Sequence, residues 1–217
     1  MLENKKHVFW QALFLTGLFF LFGLVLGVYL EQLRADNTNV IFYQSETSLY
    51  DSFALGTLSH NLNISCSEIK SANIDFADKI YEEARSLEKY DESNKLTDSV
   101  KTIHRKYDLL RTLLWMNMIS AKQNCGDIKT VVYLYKYNID DIDMKSKQLV
   151  WSRLLEQLKA KKGDEIILIP IAVDQQIVSL NYLVQSYGIK QFPAVIINEK
   201  NVLYEHKTVG ELEKMLE

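Results

Sequence analysis

Sulfur is the one reactive element this chain places suggestively. Cys66 and Cys125 are its two cysteines in 217 residues. They can be a structural disulfide, two free thiols, or a redox pair that exchanges electrons with substrate thiols. Their spacing matches no metal motif, and two thiols alone make a poor zinc site. Nothing supplies a partner base: His60, His104 and His206 fall in separate segments, and His104 lies on a charged stretch that reads as solvated surface. There is no Gly-rich phosphate loop and no HExxH. No catalytic residue, metal or cofactor is therefore expected.

The elements around the cysteines favour the structural reading. Ser65-Cys66-Ser67-Glu68 is a capping box, with a serine acceptor and a glutamate reaching back, so a helix opens at Cys66. Ile69, Phe76, Ile80, Ala84 and Leu87 continue it at helical spacing, and Asp91-Glu92-Ser93-Asn94 makes a turn. Leu96, Val100, Ile103, Tyr107, Leu110, Leu114 and Ala121 then form a coiled-coil-like seam, interrupted at Asn117. Two such helices make an antiparallel hairpin, which brings Cys66 and Cys125 side by side at its open end. A bond there closes a loop of about 60 residues, worth on the order of 4 kcal/mol by chain entropy. A weaker amphipathic piece around Leu49, Phe53 and Leu62 precedes it. Asn63-Ile64-Ser65 is an N-glycosylation sequon, a pattern frequent by chance.

Beyond Asp127 the pattern alternates between strands and helices. Lys129–Tyr137 is a strand rich in valine and tyrosine. Asn138–Lys145 is an acidic loop, and Leu149, Leu154, Leu155 and Leu158 mark a helix that stops at Lys162-Gly163. Ile166–Val173 is a second strand carrying Pro170, which assigns it to a sheet edge. A helical crossover covers Asp174–Tyr187, with Gly188 ending it in the left-handed conformation. Ala194–Ile197, a turn at Glu199-Lys200-Asn201, the strand Val202–Glu205 and a helix over Val209–Leu216 complete the chain.

This β-α-β-α-β-β-α order, together with the stretch Tyr187–Asn198 (YGIKQFPAVIIN), resembles the thioredoxin family over roughly Thr130–Glu217. The resemblance implies that Phe192-Pro193 is the family's cis-proline segment, facing a redox site and bound peptide. It also implies a C-x-x-C pair at the start of the helix after the first strand, where the helix dipole lowers a thiol pKa. Aligning the leucines puts Lys145-Ser146-Lys147-Gln148 at that position, so Lys145 and Gln148 stand where the cysteines are missing. Dithiol exchange at the usual site is chemically unavailable.

At the other end, Val8–Leu30 is an uncharged stretch long enough to cross a hydrocarbon core about 30 Å thick. Lys5 and Lys6 precede it, which predicts a cytoplasmic tail over residues 1–7 and an extracytoplasmic chain beyond Leu30. An uncleaved anchor is favoured over a signal peptide, whose apolar region is typically only 7–15 residues. Gly23 and Gly27 form a GxxxG pair able to support a weak homodimer, although glycine is common in membrane helices. Asp36–Asn39 reads as a polar break. The expected architecture is α/β: a transmembrane helix over 8–30, a helical hairpin region over 40–125, and a thioredoxin-like domain over 127–217.

Hydrophobic content of 47%, charged content of 24% and net charge −3 suit a folded protein with one membrane segment and give no reason to expect nucleic acid. Three functions remain open. The favoured one is a membrane-tethered, extracytoplasmic binding or scaffolding module for an unidentified protein or peptide. The others are a thiol-disulfide oxidoreductase working through Cys66 and Cys125, and a structural subunit of a membrane assembly.

Overall fold

The computed structural model describes residues 5–59, 65–91, 98–126 and 128–217. Two compact units divide the chain, Met1–Gln44 and Ser45–Glu217. The first helix, α1 (Lys5–Ser59), runs through the expected polar break at Asp36–Asn39. That stretch holds neither glycine nor proline, and asparagine or aspartate alone costs a helix only a fraction of a kcal/mol, about 0.7 at most. Within α1, His7–Gln32 is long and apolar enough to cross a membrane, and its side chains are exposed throughout the described part. A membrane anchor and a signal sequence share that property. Asn63 and most of the Asp91–Asn94 turn lie outside the described residues.

In the second unit, α2 (Cys66–Asp91) opens on the expected capping box. Ser65 N donates to Glu68 Oε2 at 3.1 Å, and Glu68 N donates to Ser65 Oγ at 3.4 Å. Helix α3 (Asp98–Asn124) packs against it. The seam is broader than a coiled coil. Besides Tyr107, Leu110, Leu114 and Ala121, α3 buries Trp115, Met118, Asp108 and Thr112, because it touches both α2 and a sheet. The interruption at Asn117 is a buried bridge: its Nδ2 donates to Asn73 Oδ1 on α2 at 2.8 Å.

The sheet contains β1 (Lys129–Tyr135), β2 (Ile166–Ala172), β3 (Ala194–Ile197) and β4 (Asn201–Leu203), in the order β2-β1-β3-β4. β1 and β2 are parallel; β3 is antiparallel to both β1 and β4. Pro170 thus sits on an edge strand, as its missing donor requires. One outward donor of this edge is satisfied by α3. Val173 N donates inward to Tyr135 O, whereas Ala172 N leaves the sheet for Asp108 Oδ1 on α3 at 3.0 Å. Pro170 shares Ala172's parity, so no N–H is lost from the ladder there.

Alternate residues of β1 go to opposite layers. Val132 and Leu134 join a core with α2, α3 and α5 (Val178–Ser186), while Val131 and Tyr133 join α4 (Ile142–Lys162) and α6 (Val209–Leu216). The hairpin, expected as a region separate from the C-terminal domain, therefore shares its core. Several ends differ from expectation for local reasons. Strand β1 stops at Tyr135 because Tyr137 N and Asn138 N turn to the Asp174 carboxylate, both at 2.8 Å. Helix α4 starts at Ile142, inside the expected acidic loop, because Asp141 caps it. The crossover is helical only from Val178, and β4 is shorter and begins one residue earlier than expected. The stop of α5 is as expected: Gly188 has φ +63°, its N–H reaches Gln185 O, and Ile189 N reaches Val184 O.

Candidate functional site

Three loops meet at one end of the sheet. They follow the C-terminal ends of the parallel strands β1 and β2 and precede the antiparallel β3, whose Ala194 is in register with Leu134. Pro193 consequently lies beside the exit of β1, as do Asp174 and the start of α4. The Phe192–Pro193 bond is cis, as the resemblance implied. Pro193 itself is buried and Phe192 half-buried; Lys190 and Gln191 are exposed.

At the N-terminus of α4, where thiol chemistry would draw on the helix dipole, stands a carboxylate. Asp141 has extended backbone, and its Oδ1 accepts from Asp143 N at 2.9 Å and Met144 N at 3.4 Å. Two of the first N–H groups are thereby satisfied within the chain. The Lys145–Gln148 segment, assigned to the missing cysteines, lies further on, inside α4. Lys145 is exposed on the first turn. Gln148 is a fastener: its Oε1 accepts from Lys136 N at 2.8 Å, and its Nε2 donates to Lys136 O at 3.0 Å. Tyr133 Oη donates to Gln148 O at 3.1 Å. Burial pushes the Tyr133 phenol up, so it stays neutral and serves as a hydrogen-bond donor.

Three further side chains join the loops. Asp174 holds two successive backbone N–H groups after β1. Half-buried His104 packs against Tyr137 with ring centroids 4.6 Å apart and the planes tilted by 40°, which replaces the expected solvated position. Asp108, 2% exposed, accepts from Ala172 N and from Arg111 Nη1 at 3.4 Å. Burial pushes its carboxyl up to about 6, against the opposing pull of Arg111 and the Ala172 N–H. Sequence reasoning missed Asp108 and Asp174. An acid directly after a strand was a usable signal for Asp174, whereas Asp108 resembles any helix surface acid.

The sulfurs are elsewhere. Cys66 and Cys125 are bonded, with Cα atoms 5.5 Å apart, and no cysteine is free. Cys125 precedes Lys129, the first residue of β1, whereas the cis-proline lies beside the last. Seven extended residues separate the two, about 20 Å at roughly 3.3 Å per residue. The disulfide end carries its own polar tie: Lys122 Nζ meets Glu199 Oε2 at 2.8 Å, and Thr130 Oγ1 donates to the same carboxylate. Among the described residues, no group of three or more His, Cys, Asp or Glu could hold a metal ion.

No family model and no curated protein matches the chain. One solved structure, described as "Structure of a malarial protein", is 16% identical, spanning 41% of this chain and 92% of that one with a TM-score of 0.31. So slight a likeness carries no argument about function.

Proposed function

We propose that this chain is a membrane-tethered, thioredoxin-like module without dithiol redox activity, which binds or scaffolds a partner outside the cytoplasm. The apolar helix His7–Gln32 is the anchor in this reading, and Lys5 and Lys6 hold its N-terminus on the cytoplasmic side. The strand order, with β3 antiparallel, supports the thioredoxin-like assignment. Helices on both faces of the sheet support it further.

The observation that carries the reading is the separation of sulfur from the loop end. The Asp141 carboxylate caps α4, and both cysteines are consumed in a bond at the opposite end of β1. What remains at the loop end is a recognition surface: exposed Gln191, the edge of Phe192, and Ile142, whose side chain is 78% exposed. Backbone groups and apolar anchors of this kind suit an extended segment of another protein.

The test uses full-length protein in nanodiscs. Reduction of a dithiol-reporting substrate such as insulin is expected to stay at the level of a Cys66→Ser/Cys125→Ser variant. Turnover lost in that variant would instead establish an oxidoreductase. In membranes, a photo-crosslinking residue at Gln191 is expected to give discrete adducts, while one at Lys200, beyond the other end of β3, gives none. Equal labelling from both positions, or none from Gln191, removes the binding face from this end.

A further inference from the structure

Two surfaces at the loop end are matched to each other in chemistry. One is an open groove of about 720 Å³ between α3 and α5. Leu109, Val178 and Tyr182 give it apolar walls and are 40, 68 and 69% exposed. Arg105 and Lys106 line its α3 side; Arg105 Nη2 is steadied by a 3.2 Å bond to Gln176 O, and Lys106 pairs with Glu46. On its other side α5 begins with neither a side-chain cap nor an acidic residue in its first turn, so Arg105 faces an uncapped helix N-terminus while Lys106 shares its charge with Glu46.

The second surface is the opening of α4. Asp140, Ile142 and Asp143 are exposed there, with Asp141 already used as the cap. The two surfaces belong to opposite layers of the sheet and share anchors at its loop end. Tyr137, just ahead of the acidic segment, packs against His104 of α3, and Asp174, just ahead of the groove's Gln176, holds the backbone of Tyr137 and Asn138. Both are thus presented on the same end of the same unit.

We propose that the partner at this end is a second copy of the chain. Ile142 of each copy enters the Leu109–Val178–Tyr182 groove of the other, and Asp140 and Asp143 meet Arg105. Adjacent complementary patches generate an isologous two-fold contact, in which every interaction is made twice. Acid then faces cation while exposed apolar groups leave water, the arrangement that gives an interface both register and affinity. The small net charge of −3 adds little self-repulsion. The inference deepens the binding-module reading by naming its partner.

The test is site-directed cross-linking of full-length protein in nanodiscs or native membranes. One tagged copy carries Ile142→Cys, a differently tagged copy carries Val178→Cys, and both retain Cys66 and Cys125. Mild oxidation is expected to give the mixed dimer, with none when Val178→Cys is replaced by Lys200→Cys. Arg105→Glu in the second copy is expected to lower the yield about tenfold, the effect of losing one well-placed charge pair. Asp143→Lys in the first copy should restore it. Absence of the Ile142–Val178 product, equal product with Lys200→Cys, or failure of the charge reversal to restore yield overturns the second-copy partner. If Ile142→Cys is captured by a different protein, the binding reading stands and this partner falls. Dithiol turnover would instead remove the binding reading itself, so the two failures are distinguishable.

Discussion

Gln148 satisfies both backbone groups of Lys136 with one side-chain amide, at the point where β1 hands over to the loop. A leucine there would fill similar space and leave the Lys136 N–H and C=O without that partner. Losing a hydrogen-bond partner at a part-buried site costs about 1–3 kcal/mol. Gln148→Leu is therefore expected to lower unfolding free energy by about that amount in urea titration. Gln148→Glu keeps the acceptor and loses the donor, so it should fall between; equal stability of all three proteins would deny the amide its role. Asp108 yields a second residue-scale prediction, with a definite sign. An unfolded aspartate titrates near 4, so between about pH 4 and about pH 6 the folded chain holds a proton that the unfolded chain has released. This contribution to stability is full below about pH 4 and is lost as pH rises through about 6. Asp108→Asn keeps an acceptor for Ala172 N–H and abolishes the titration. Raising the pH from about 4 to about 7 should then cost the wild type on the order of 3 kcal/mol more than the variant. A pH-independent difference between them would place the titration elsewhere. Neither side chain was legible in advance. Gln148 was noticed only as a position without sulfur, and the burial of Asp108 comes from a sheet edge that lies 64 residues away in sequence.

Elements were more legible where one local rule decides them. The capping box follows from the local pair Ser65 and Glu68, the stop at Gly188 from one residue's stereochemistry, and the edge at Pro170 from one missing donor. The end of β1 was misjudged because a side chain distant in sequence, Asp174, takes its next two N–H groups, and the start of α4 because the Asp141 cap went unread. The coiled-coil-like seam on α3 was legible as a stripe, but its width was not, since the period cannot reveal a second neighbour on the far side. The Cys66–Cys125 pairing followed from the hairpin's antiparallel course, and it carries the element-scale prediction. The bond spans 59 positions, so opening it restores about 4 kcal/mol of chain entropy to the unfolded state. Cys66→Ser/Cys125→Ser should lower the unfolding free energy by roughly that amount, with little further loss when reductant is added. Because α2 and α3 share a core with the sheet, the loss is expected in one cooperative transition followed by far-UV and tryptophan signals alike. Separate transitions by the two probes would mean that the hairpin folds independently.

At the scale of the whole molecule, the apolar helix was legible from composition alone, whereas the fusion of hairpin and sheet into one unit was not. Composition reports which side chains avoid water but not which neighbours they choose. The proposed membrane orientation rests on two independent features. Lys5 and Lys6 precede His7–Gln32, and in the proposed orientation the positive-inside bias would retain them in the cytoplasm. The Cys66–Cys125 bond follows that helix, and such bonds persist in oxidising compartments. The proposal couples orientation to oxidation. Protease added to intact cells should digest the chain beyond the helix, and the mass of the intact protein should include the helix itself. Lys5→Glu/Lys6→Glu combined with Gln32→Lys/Asn37→Lys reverses the charge bias. The reversed molecules should become protected from external protease and, in the same molecules, expose two thiols to a maleimide mass tag. A mature chain lacking residues 1–30 would make the helix a signal sequence. Wild-type protein that is fully protected from external protease would sink the topology, and the disulfide would then need another source of oxidant.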